Sequence, residues 1–226
     1  MIIGGLQKNS FIDYPGMISC VLFLRGCNFR CPYCHNPDLV REPFTDDHPV
    51  EDIKVFEMLE NRRGLLDGVV ITGGEPTLQK GLLSLCHKVK TLGYPIKLDT
   101  NGSRPDVLED LLRHDVLDYV AMDVKTDPSH YEALTRAPLD PTLLFESIRL
   151  IMSSGLPYEF RTTCVRPFVD EGIMATIGKS IEGAMRYALQ TFRRAERLLD
   201  PGFSSKHEAG FTLEAVSYTH LRAHET

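Results

Sequence analysis

Short apolar runs alternate along this chain with stretches of helical periodicity. MISCVLFL (17–24), DGVVIT (67–72), PIKLDT (95–100), DYVAMDVK (118–125), YEFRTTCV (158–165) and AMRYALQTF (184–192) are apolar runs, mostly rich in β-branched residues and bounded by turn residues. That is the pattern of buried strands. Between them, 50–64, 82–93, 105–115, 142–155 and 171–183 place apolar residues at helical spacing, and three of these stretches close on Gly64, Gly93 and Gly155. Six such βα repeats predict an α/β fold: parallel strands with helices outside, as an open sheet or a partial (βα)6 barrel. Either architecture gathers ligands at the carboxyl ends of its strands. Polar residues stand at four consecutive predicted strand ends: 25–34, GGEP (73–76), DTNG (99–102) and DVK (123–125).

Residues 1–203 read as one domain. From about residue 204 the periodicity fails, leaving an irregular tail, and the final AVSYTHLRAHET (215–226) resembles a translated vector tail rather than native protein. Composition adds exclusions. With 42% hydrophobic and 25% charged residues among 226, the chain is globular. A net charge of −6 argues against a nucleic-acid partner. The longest strongly apolar stretch, 18–24, is too short to span a bilayer. The N-terminus lacks the basic-then-apolar order of a secretory leader, so a cytoplasmic location without membrane attachment is expected.

Six cysteines in such a chain point to metal binding or catalysis before disulfides. Cys20, Cys86 and Cys164 are scattered through apolar surroundings, where cysteine serves as a small buried hydrophobe. Cys27, Cys31 and Cys34 form a C-x3-C-x2-C loop that leaves the first predicted strand. Structural zinc would need a fourth ligand. His35 is the nearest, but directly after Cys34 it would be strained onto the same ion. The other reading is a [4Fe–4S] cluster held by three thiolates, with one iron left open.

This loop, with aromatic Tyr33 before the last cysteine, resembles the signature of the radical S-adenosylmethionine (SAM) enzymes, and the strand-end motifs agree with it. The resemblance implies that SAM chelates the open iron. The reduced cluster then passes an electron to the sulfonium, and the C–S bond breaks to give methionine and a 5′-deoxyadenosyl radical. It implies cofactor-binding roles for Tyr33, for Gly73, Gly74 and Glu75 at the SAM amino group, and for Asp99 at the same end. Asn101 stands in the same strand-end motif as Asp99. Asp123 would meet a ribose hydroxyl and Lys125 the carboxylate, with Arg161 a second carboxylate candidate. The plain alternatives are an ordinary turn for GGEP, helix capping for Asp99 and Asn101, and a solvated ion pair for Asp123 and Lys125.

The likeness narrows further. FIDYPG (11–16) and CPYCHNPDLV (31–40), followed by VVITGGEPTLQ, IKLDTNGSRP, VAMDVKT, EFRTTCV and RYALQTFR, resemble the anaerobic ribonucleoside-triphosphate reductase activating proteins over residues 1 to about 200. That family implies a partial (βα)6 barrel that abstracts hydrogen from a glycine of its reductase, with flavodoxin or ferredoxin as electron donor. The chain departs from the family at 164–167, CVRP. It also shows no counterpart of the histidine that related pyruvate formate-lyase activators place near the sixth strand, where Gln190 is the nearest polar residue. Activation of another glycyl radical enzyme, small-molecule radical chemistry and a non-catalytic metal-binding module are the alternatives.

Overall fold

The computed structural model describes residues 2–41, 50–193 and 197–203. The tail expected from residue 204 lies outside the described residues. Seven strands form one sheet in the order of the sequence: β1 (Ile3–Ser10), β2 (Ser19–Leu24), β3 (Gly68–Gly73), β4 (Ile96–Thr100), β5 (Tyr119–Asp123), β6 (Tyr158–Cys164) and β7 (Tyr187–Thr191). From β2 to β7 every pairing is parallel, so the six predicted strands form the predicted parallel array. β1 is an addition. It runs antiparallel to β2 as one of the two edges, with register shifts around Gly5 and before Ser10.

The predicted helices are α2 (Asp52–Asn61), α3 (Leu82–Thr91), α4 (Pro105–Arg113), α6 (Pro141–Ser153) and α7 (Glu171–Ser180), each shorter than its periodic stretch. Two further short helices, α1 (Pro37–Val40) and α5 (Tyr131–Thr135), were not anticipated. Local chemistry explains several ends. Asp140 and Asp170 cap α6 and α7 by accepting the amides of Thr142 at 2.9 Å and Ile173 at 2.8 Å. Gly93 follows α3 with φ +88°, the left-handed conformation that stops a helix.

Strand alternation sends apolar side chains to both faces of the sheet. Cys20, Leu22, Val69, Ile71, Leu98 and Met122 belong to the main core, together with the buried faces of the helices. Val21, Val70, Tyr119 and Ala121 point the other way and pack on Tyr14, whose ring meets that of Tyr119 edge-on at 5.9 Å. Tyr14 therefore fills the inner face at the amino ends of the strands. This leaves polar side chains to line the same face toward the carboxyl ends.

Candidate active site

The cysteine loop leaves the carboxyl end of β2. It is pinned by backbone bonds from Gly26 to the Leu39 carbonyl and from Arg30 to the Thr135 carbonyl, both 2.7 Å, and by a turn in which the Cys34 amide donates to Cys31 at 3.0 Å. The Phe29 amide donates to Cys27 Sγ at 3.4 Å, and Arg30 donates to the Cys27 carbonyl. Cys31 is buried, and Cys27 and Cys34 are partly exposed. Burial pushes the Cys27 thiol up to about 12 and the Cys31 thiol to about 11, with Lys125 pulling both back. Thiols in this setting become ligands when a cation stabilises the thiolate. Among the described residues no three Cys, His, Asp or Glu side chains gather about a single ion. His35, the fourth ligand that zinc would need, is turned to other partners. It stacks on Phe192 at 5.5 Å and hydrogen-bonds the Arg193 carbonyl at 2.9 Å.

The GGEP motif is built into the fold beside this loop. A side chain on Gly73, at φ +130°, would strike the Leu24 backbone, and one on Gly74 would strike the Gly26 carbonyl. The glycines therefore let β3 approach the cysteine loop backbone, where the Glu75 amide donates to Gly26 at 2.7 Å. The Glu75 carboxylate is fully buried. It accepts from the Thr77 amide (3.1 Å) and hydroxyl (2.6 Å), the Thr100 hydroxyl (2.7 Å) and the Asn101 amide (2.7 Å). Burial raises its pKa, and those donors oppose the rise. Asn101 caps its own turn through the Ser103 amide and donates to Asn28 at 3.0 Å, so the end of β4 is also tied to the cysteine loop. Asn101 thus closes a turn ahead of α4 and does not cap that helix, whose N-cap position is Arg104.

Four of the predicted residues converge in one ion network across β4, β5 and β6. Arg161 Nε donates to Asp123 at 2.9 Å, and its Nη1 donates to Asp99 at 3.3 Å. Lys125 Nζ donates to Asp123 at 3.3 Å. Burial alone would raise Asp123, but Arg161 and Lys125 overcome it and hold the carboxyl at about 2. Lys125 is held well above its ordinary value: burial opposes its charge, and Asp123 outweighs burial. Asp123 and Lys125 are thus part of a network with Arg161 and Asp99, not an isolated pair.

Sequence reasoning missed Lys97. Its ammonium, almost fully buried, reaches Asp99 at 2.5 Å. The available signal was its spacing: in a strand, residues 97 and 99 share a face. Gln190 is exposed on edge strand β7. Cys20, Cys86 and Cys164 are fully buried, as expected of packing residues.

The donors fit a cluster and a zwitterionic ligand. Three thiols lie on one loop, the ion network offers both signs of charge, and the Tyr33 hydroxyl is buried without a hydrogen-bond partner. Lys125 lies within electrostatic reach of Cys27, Cys31 and Tyr33, so the ion network neighbours the cysteine loop.

Comparison with known proteins agrees with this donor set. The radical SAM superfamily profile matches residues 21–179. A Methanocaldococcus jannaschii protein named "Putative glycyl-radical enzyme activating enzyme" is 35% identical over 196 residues, covering 84% of this chain and 80% of that protein. The pyruvate formate-lyase-activating enzyme of Clostridium pasteurianum is 32% identical over 139 residues, but the match spans 59% of this chain and 56% of that enzyme. Streptococcus suis SuiB bound to S-adenosylmethionine shares the fold with a TM-score of 0.66 at 15% identity, over 91% of this chain and 48% of that one. This chain belongs to the radical SAM superfamily, whose cofactors are a [4Fe–4S] cluster and SAM, and within it to the kin of the glycyl-radical enzyme activating enzymes.

Proposed function

We propose that this protein activates an anaerobic, class III ribonucleotide reductase by abstracting hydrogen from one glycine of that enzyme. The observation that carries the activase reading is the match to the M. jannaschii activating enzyme over most of both chains. The narrower target rests on the resemblance of residues 11–16 and 31–40 to the reductase activases.

In this reading Cys27, Cys31 and Cys34 hold the cluster. When bound, the cluster and SAM together supply reductive C–S cleavage and, through it, hydrogen abstraction. The protein's own part is to bind, orient and exclude water. Lys125 and Arg161 present positive charge to the SAM carboxylate, Asp99 and the GGEP turn receive the amino end, and Asp123 meets a ribose hydroxyl. Charge-assisted bonds of this kind are short and directional, so they fix the ligand's orientation as well as its affinity. Tyr33 offers its unpaired hydroxyl to the same ligand. The substrate glycine lies in a protein loop, and flavodoxin or ferredoxin delivers the electron.

The C. pasteurianum relative favours a second reading, activation of pyruvate formate-lyase. Electron paramagnetic resonance (EPR) separates the two after the reduced, SAM-loaded protein is mixed anaerobically with each candidate. A glycyl doublet on the reductase and none on the lyase is expected. A doublet on the lyase alone would overturn the reductase assignment.

A further inference from the structure

The segment 198–203, LLDPGF, follows the last strand and carries no motif in the sequence. In the structure it lies along the cysteine loop. Leu199 donates its amide to the Cys34 carbonyl at 3.1 Å, and Asp200 donates to the Pro32 carbonyl at 3.0 Å. These two bonds grip the loop two residues before the last cysteine and at that cysteine itself. The segment is anchored at several points. Arg41 donates to the Leu199 carbonyl at 2.8 Å, and Arg136 pairs with Asp200 at 3.0 Å. Asp200 also closes a turn by accepting the Gly202 amide at 3.1 Å. That turn delivers Phe203, which is buried, against the loop from outside. The Phe203 ring lies 6.2 Å from that of Tyr33, stacks on Phe168 at 6.1 Å and meets Phe192 edge-on at 6.2 Å. Tyr33 stands between Cys31 and Cys34, so this aromatic cluster covers the stretch that carries two of the three thiols.

We propose that residues 198–203 are a clamp that sets the cysteine loop in its cluster-binding conformation, with Phe203 as the anchoring, positioning residue. A ligand loop must be held by its surroundings if it is to keep three thiols in register. Here the Pro32 and Cys34 carbonyls are held from a segment more than 160 residues away in sequence. The link to the cluster rests on the reading that Cys27, Cys31 and Cys34 are its ligands; the effect on the loop itself does not.

The test uses the full chain. In the cluster-free protein, amide hydrogen exchange is followed across residues 27–36 for wild type, Phe203→Ala, Phe203→Leu and Leu85→Ala. Leu85 is buried on α3 and serves to lower overall stability without touching the clamp. Phe203→Ala is expected to speed loop exchange about tenfold relative to core amides, the response to losing roughly one hydrogen bond's worth of local stability. Phe203→Leu should recover much of the protection, and Leu85→Ala should leave the loop-to-core ratio unchanged. In reconstituted protein, Phe203→Ala should pass iron to a chelator faster by a similar factor. Should Phe203→Ala fail to fold, Asp200→Ala carries the same expectations at smaller size, since it removes the Arg136 pair and the turn bond while leaving the Phe203 ring in place. Loop exchange that rises no more in the clamp variant than in Leu85→Ala would overturn the clamp. Raised exchange with unchanged iron release would keep the clamp on the loop and refute its link to the cluster.

Discussion

Gly74 lies so close to the Gly26 carbonyl oxygen that a methyl group on Gly74 would overlap it. The end of β3 and the start of the cysteine loop are therefore a single packed unit, and the glycine in GGEP is required by protein backbone. Gly74→Ala must push the loop away. A stability loss of about 1–3 kcal/mol is expected, as for other overpacked sites. Iron per chain after reconstitution should fall together with the melting temperature. A normal iron content in a destabilised variant would show that the loop tolerates the shift.

Lys125 bonds Asp123 and lies within electrostatic reach of Cys31 and Tyr33. Lys125→Ala should weaken SAM binding far more than cluster assembly. Loss of one charge-assisted bond costs about 1.5–3 kcal/mol, or roughly a 10- to 150-fold rise in dissociation constant. Equilibrium binding of SAM to the reconstituted variant, alongside its iron content, checks both halves. Unchanged affinity would confine Lys125 to a structural ion pair.

Asp123 gives the stability an acid limb. Its carboxyl is held at about 2 against burial by Arg161 and Lys125. A carboxylate whose pKa falls on folding adds stability that is complete above its unfolded value of about 3.9 and is lost as pH drops through the folded value. The contribution should be about 1 kcal/mol, because the side chain is 33% exposed and water screens it. Denaturant unfolding of Asp123→Asn between about pH 4 and pH 2 should show a shallower loss than wild type. Parallel curves would mean that Asp123 is not the titrating group.

The parallel array was legible because β2, β3 and β5 are short, mostly apolar runs and turn residues separate the strands. The strand-end rule then pointed to the residues that the structure gathers. β1 escaped because IGGLQKNS mixes two glycines with a polar stretch, the composition of an edge strand rather than a buried one. Its glycines fit their place: Gly5 packs against Phe23, and a side chain on Gly4 would meet Arg25 and Leu39. α5 escaped because five residues are too few for helical periodicity to register. Lys97 resembled an ordinary polar position in a strand, and only its pairing with Asp99 marks it as interior. The contacts of Asn28 and of residues 198–203 are tertiary, joining segments far apart in the chain, and no local pattern encodes them. Glu75 was singled out as a ligand contact by the resemblance, while the four protein donors around it could be counted only in three dimensions.

The central claim is that Cys27, Cys31 and Cys34 would hold the cluster, with SAM bound beside it by the Asp99–Arg161–Asp123–Lys125 network. Low-temperature EPR of the anaerobically reconstituted, reduced protein tests it most directly, recorded before and after SAM is added. Wild type and Cys86→Ala should give a cluster signal that changes shape with SAM, and Cys27→Ala, Cys31→Ala and Cys34→Ala should give none. Cys86→Ala should otherwise cost only packing, about 1–3 kcal/mol. A cluster signal that survives in Cys31→Ala, or disappears in Cys86→Ala, would contradict the assignment.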